Sequence, residues 1–150
     1  MRLYLVHHGP AVGPDVDIRR PLSNTGRLAV DLVAQKAAAR GAKPAAVWHS
    51  GKLRAKETAL AFWRACNPLA ELAAVRDLQP DDRPAWMRDR LRGETRDVMI
   101  VGHFPFLPRL LSLLLHGDPE QAADFPAHGA VALETRDEGT SWTELWRVET

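Results

Sequence analysis

Cysteine is almost missing from this chain: Cys66 stands alone among 150 residues. A single thiol can form neither an intramolecular disulfide nor a thiolate-rich zinc centre, and such scarcity suits a reducing cytoplasm. Cys66 itself reads as a packed helix residue. An excess of either charge is also lacking. Lys and Arg number 20 against 19 Asp and Glu, a formal net charge of +1, and the basic residues are scattered among acidic ones, so no broad field is present to hold a nucleic-acid backbone. Long apolar runs are absent as well. The stretch from Leu3 to Val6 is too short for a signal peptide, and the run from Leu110 to Leu115 is flanked by Arg109 and His116 and cannot span a bilayer. No repeat or low-complexity tract appears. These absences predict a soluble, cytoplasmic protein with neither nucleic acid nor membrane as a partner.

What is present suits one globular domain over residues 1–150, with 45% hydrophobic and 26% charged residues. Strand-like and helix-like segments alternate, which predicts an α/β fold of three layers with a mostly parallel sheet. Strands are expected over Arg2 to His7, Ala45 to His49, Leu72 to Arg76 and Val98 to Val101. The first helix is expected from the N-cap Ser23 through Leu28, Leu32 and Val33 to Arg40, with Gly41 as its stop. A second should run from Gly51 to Cys66 with Leu53, Leu60 and Trp63 on its buried face, a third from Pro84 to Gly93, and a fourth from Pro105 to His116. The runs Ala130 to Glu134 and Ser141 to Val148, separated by Asp137-Glu138-Gly139, predict a hairpin and hence an antiparallel strand at the sheet edge.

Three of the predicted strands end in polar turns. His7-His8-Gly9 follows the first, His49-Ser50-Gly51-Lys52-Leu53-Arg54 the second, and Gly102-His103 the fourth. In an open α/β sheet ligands bind where such carboxyl ends converge. Histidines together with an arginine in a helix's first turn point to phosphoryl chemistry. A cation is poorly placed at that end of a helix unless an anion binds there.

In this order the motifs resemble the histidine phosphatase superfamily. The compact length, Arg20-Pro21-Leu22-Ser23 before the first helix, and Gly102-His103-Phe104-Pro105 resemble its SixA-type phosphohistidine phosphatases, over nearly the whole chain. The resemblance implies a phosphoglycerate mutase-like fold and a metal-independent phosphatase without a cofactor. His8 would be the nucleophile, splitting hydrolysis into two displacements through a covalent phosphohistidine. Arg54 and His103 would be its catalytic partners, and His7, Arg20, Arg54 and His103 would hold the phosphate. Arg19 is an alternative to Arg20. The expected partner is a phosphohistidine-bearing protein such as a phosphotransfer domain or carrier.

One departure stands out: the family's first turn is Arg-His-Gly, whereas this chain has His7 in place of the arginine. An adjacent phosphate would favour the protonated imidazole, so the His7 charge is expected to depend on pH. The alternative reading is a phosphate- or phosphoprotein-binding regulator with weak or no turnover. Asp81 and Asp82 are the candidates for a proton-donating carboxyl, a role that matters less when the leaving group is imidazole rather than an alkoxide. A histidine metal site is disfavoured, because His7 and His8 lack a helical i, i+4 spacing and a regular strand would point them to opposite faces. His49 and Ser50 read as a strand end, with Ser50 capping the second helix; His116 reads as a helix-end cation, His128 as a loop residue, and the tryptophans as core or surface cover.

Overall fold

Tyr4 and Val6 face one way from the first strand and Leu3 and Leu5 the other, and all four are buried. That alternation requires a covered sheet on both sides. The computed structural model describes residues 1–121 and 123–150. In chain order its elements are β1 (Arg2–His7), α1 (Asn24–Ala39), β2 (Ala46–His49), α2 (Leu53–Cys66), β3 (Glu71–Ala74), α3 (Pro84–Arg92), β4 (Val98–Gly102), α4 (Phe106–His116), β5 (Ala130–Glu134) and β6 (Thr143–Val148). The sheet order is β3-β2-β4-β1-β5-β6. Strands β3, β2, β4 and β1 pair in parallel, whereas β5 is antiparallel to both β1 and β6. The hairpin therefore forms the edge, and β5 is the one reversed strand.

Two apolar layers sandwich this sheet. On one face α1 and α2 pack through Val30, Val33, Ala34, Ala37, Ala55, Ala59 and Phe62 against Tyr4, Val6, Met99 and Val101. On the other, Met87 and Leu91 of α3 and Phe106, Leu107, Leu110 and Leu111 of α4 meet Leu3, Leu5, Val98 and Ile100. The predicted helix faces need correction. Leu28 and Leu32 are exposed, and Leu53, Leu60 and Trp63 are only partly buried. The small side chains of α1 and α2 let the helices approach each other and the sheet, so the alanine-rich stripe is buried in preference to the leucines. Ser23 caps α1 by accepting from the Gly26 amide at 2.9 Å. Lys52, not Ser50, is the N-cap of α2, and it makes no side-chain cap bond.

The long first loop is closed on itself and on α2. Ala11 pairs with Leu22 in an antiparallel bridge, the Ser23 amide donates to the Pro10 carbonyl at 3.1 Å, and the tip exposes Val16 and Ile18. Thr58 Oγ1 accepts from the Gly9 amide at 3.0 Å, and Glu57 Oε1 from the Leu22 amide at 2.8 Å. Two adjacent residues of α2 thus hold both ends of the loop. Among the described residues, no helix is long and apolar enough to cross a membrane.

Candidate active site

The parallel strands β1, β2 and β4 deliver His7-His8, His49-Ser50 and Gly102-His103 to one sheet edge. Because β5 is reversed, its beginning lies at the same edge, and His128-Gly129 joins the cluster from the opposite direction. The main chain stitches the junction: the His7 amide donates to the Gly129 carbonyl at 3.0 Å and the His8 amide to the Gly102 carbonyl at 3.1 Å.

Hydrogen bonds assign the protons on three of the rings. His8 Nδ1 lies 2.8 Å from its neighbour's Gly9 carbonyl, an acceptor only, so Nδ1 carries the hydrogen and Nε2 keeps a free lone pair. His7 Nδ1 accepts from the His128 amide at 2.8 Å, which puts the His7 hydrogen on Nε2. His128 Nδ1 donates to the His8 carbonyl at 2.7 Å, leaving the His128 Nε2 lone pair open. His7 is also stacked between two rings, Phe104 at 4.0 Å and His128 at 4.7 Å between centroids. The rings of His8 and His103 are 5.1 Å apart. Ser50 Oγ pairs with His103 Nε2 at 2.6 Å and accepts from the Lys52 amide, so Ser50 orients His103 rather than capping α2.

The electrostatics are one-sided. Burial, followed by the charges of His8, His128 and His103, pushes His7 down to about 3. In the free protein this imidazole is therefore neutral at pH 7: it is enclosed, stacked and committed through Nδ1 to a donor. Burial pushes His8 down to about 4 against the opposing pull of the Gly9 carbonyl, with Arg54, His128 and Arg20 adding to the fall. His103 is pushed to about 3 by burial and by His8, Arg54, Lys52 and Arg20. Among the described residues, the arginines and lysine that bear most on His8 and His103 are cations: Arg54, Arg20 and Lys52. Arg54 is itself lowered by burial and by Arg20, and among the described residues its buried Nε has no hydrogen-bond partner. A buried guanidinium donor left unsatisfied among other cations is a receptor for an anion.

The predicted site residues His7, His8, Arg54, His103 and Arg20 are therefore gathered in one place. Arg20 is directed by a bond from its Nε to the Val12 carbonyl at 3.1 Å, and its backbone has a φ of 50°. Arg19 is turned to solvent and paired with Asp17 at 3.0 Å. The candidate acids make no side-chain hydrogen bond to the cluster among the described residues: Asp82 accepts from the Gln79 amide at 2.9 Å and Asp81 is exposed. Gln79 is the residue of that loop that reaches the cluster, donating from Nε2 to the Ser50 carbonyl at 2.8 Å. His128 is the functional candidate that the sequence reading missed. It has a φ of 54°, a left-handed conformation that costs a residue with a Cβ on the order of 1–3 kcal/mol and would come cheaply to glycine. The available signal was the hairpin, since a reversed strand must begin where β1 ends.

Ring nitrogens of His7, His8 and His128 lie within 4.8 Å of one another, contrary to the expectation that His7 and His8 diverge. Their protons argue against a resident metal nonetheless. His7 spends its lone pair on the His128 amide, which leaves two open lone pairs where a zinc centre uses three or four protein ligands.

The sheet, helices and turns together make the phosphoglycerate mutase-like fold of the solved structures they resemble. Within that class the likeness is to SixA. The structure of the protein histidine phosphatase SixA complexed with tungstate matches with a TM-score of 0.83 and 21% identity, over 99% of this chain and 97% of that one. A structure from Agrobacterium tumefaciens named for the phosphohistidine phosphatase SixA matches with a TM-score of 0.77 and 24% identity, over 99% and 97% of the two chains. A phosphoglycerate mutase from Plasmodium falciparum matches at 0.70 with 18% identity, over 97% and 88%. No family model and no curated protein matches the sequence.

Proposed function

We propose that the protein is a metal-independent phosphatase that forms a covalent phosphohistidine on His8, and that its substrate is phosphohistidine on a protein partner. The observation that carries this reading is the open Nε2 lone pair of His8, set by the Gly9 carbonyl, beside Arg54, whose buried Nε has no partner among the described residues. A neutral imidazole at pH 7 can attack phosphorus, and the burial that keeps His8 neutral supplies that state. Arg54 and Arg20 would neutralise the equatorial oxygens of the transferring group. With the Ser50 hydroxyl donating to His103 Nε2, His103 would offer its Nδ1 hydrogen to the same oxygens. His7 would contribute a neutral Nε2 donor. The tungstate, an oxyanion, in the SixA structure and the SixA names of the neighbours support the substrate class.

The neutral, stacked His7 favours a second reading, a phosphate-binding regulator with weak turnover, because the site has one guanidinium fewer than the superfamily's first turn provides. Rapid quench with labelled phosphohistidine protein, in EDTA, decides between them. The expected result is an acid-labile, base-stable label on His8 formed faster than phosphate is released, and abolished in His8→Asn. Binding without any label gives the regulator, and turnover lost to EDTA and restored by zinc overturns metal independence.

A further inference from the structure

Resting on the phosphatase reading, we propose that His128 is its general acid and base, giving a proton from Nε2 to the leaving atom and taking one back from the attacking water. The clamp on His128 is two-sided: its amide holds His7 Nδ1 and its Nδ1 holds the His8 carbonyl. The imidazole is thereby presented beside the nucleophile with Nε2 uncommitted, on a left-handed backbone that serves no turn better than glycine would.

The other groups around His8 are poor carriers of a cycling proton. Arg54 and Arg20 do not deprotonate. His7 cannot gain a proton on Nδ1 without losing the His128 amide, and His103 is buried and faces Ser50, Arg54, Lys52 and Arg20. Asp82 accepts from the Gln79 amide, and among the described residues neither its side chain nor that of Asp81 bonds to the cluster. His128 is half-buried, less enclosed than His7 or His103, and imidazole is the side chain most often used as a general acid or base.

The chemistry balances over two steps. His128 enters as the imidazolium, its open Nε2 having taken a proton from solvent. His8 Nε2 attacks phosphorus as the bond to the leaving oxygen or nitrogen breaks, the electron pair goes to that atom, and the His128 Nε2 hydrogen follows it. Water then attacks phosphorus, the phosphorus–nitrogen bond pair returns to His8, and a water proton restores the His128 imidazolium. A protonated leaving group widens the substrate class from phosphohistidine to phosphate monoesters of poorly acidic alcohols.

A leaving-group series tests this on the intact protein, with kcat/KM reporting the first step alone. Phenyl phosphate, whose leaving group needs a proton, is compared with p-nitrophenyl phosphate, whose leaving group does not. Asparagine tolerates the left-handed backbone, so His128→Asn is the variant. It should lose about a hundredfold or more on phenyl phosphate and much less on p-nitrophenyl phosphate. Equal losses on both substrates would reduce His128 to scaffolding. The unmodified protein supplies a second measure: kcat/KM should depend only shallowly on phenol acidity, and a steep dependence overturns the proposal even if the variant fails to fold. A protein that labels His8 yet shows equal losses refutes the acid alone, whereas a protein that neither labels His8 nor turns over refutes the phosphatase reading with it.

Discussion

At the scale of single residues, Arg54 sets affinity against stability. Its Nε is buried without a partner among the described residues, a desolvation cost that a bound anion relieves. Arg54→Met should raise the melting temperature of the free protein while weakening phosphate binding by at least tenfold, since a hydrogen bond to a charged group is worth about 1.5–3 kcal/mol. Thermal melts and calorimetric titration with phosphate check both halves, and a variant that melts lower would mean Arg54 is satisfied without ligand. The gathering of His8, Arg54 and His103 at one sheet edge was legible in the sequence because each follows a strand whose direction was clear. His128 was obscured because it precedes a strand. The surroundings of His7 were hidden for a different reason: the stack of Phe104 and His128 around it, and the donor on Nδ1, are tertiary facts that no local pattern carries.

At the scale of elements, the first helix and the first loop depend on each other at Gly26. A Cβ there would lie 2.0 Å from the Pro10 carbonyl oxygen and 2.9 Å from Ser23 Oγ. Alanine ordinarily gains about 1 kcal/mol over glycine inside a helix. Here Gly26→Ala should instead destabilise the protein and weaken phosphate binding, because the loop that carries Arg20 must shift; denaturant midpoints and phosphate titration check this, and a stabilised variant would refute the contact. Helix existence and ends were readable from Ser23, Gly41, Pro84 and Gly93. The buried faces were less so, because an alanine stripe and scattered leucines give weak periodicity until a neighbouring helix selects between them.

At the scale of the whole molecule, folding and protonation are linked through the buried rings. In the unfolded chain these imidazoles take protons below about pH 6.5, whereas in the fold His7, His8 and His103 stay neutral down to about 3, 4 and 3. The unfolded state therefore binds more protons as pH falls from about 6.5 towards 4, and stability declines through that window by an amount on the order of a few kcal/mol. Above it these groups make no difference. Urea midpoints at pH 7.5 and pH 5 check the decline, and His103→Asn should flatten it; equal midpoints in the parent protein would show that the rings protonate within the fold. The position of β5 bears on biosynthesis as well. Its residues pair with β1 across nearly the full length of the sequence, and the His128 clamp spans 120 and 121 positions. On the ribosome, His8 emerges well before the hairpin that clamps its carbonyl and the neighbouring His7 ring, so a nascent chain carries the proposed nucleophile long before its surroundings are in place.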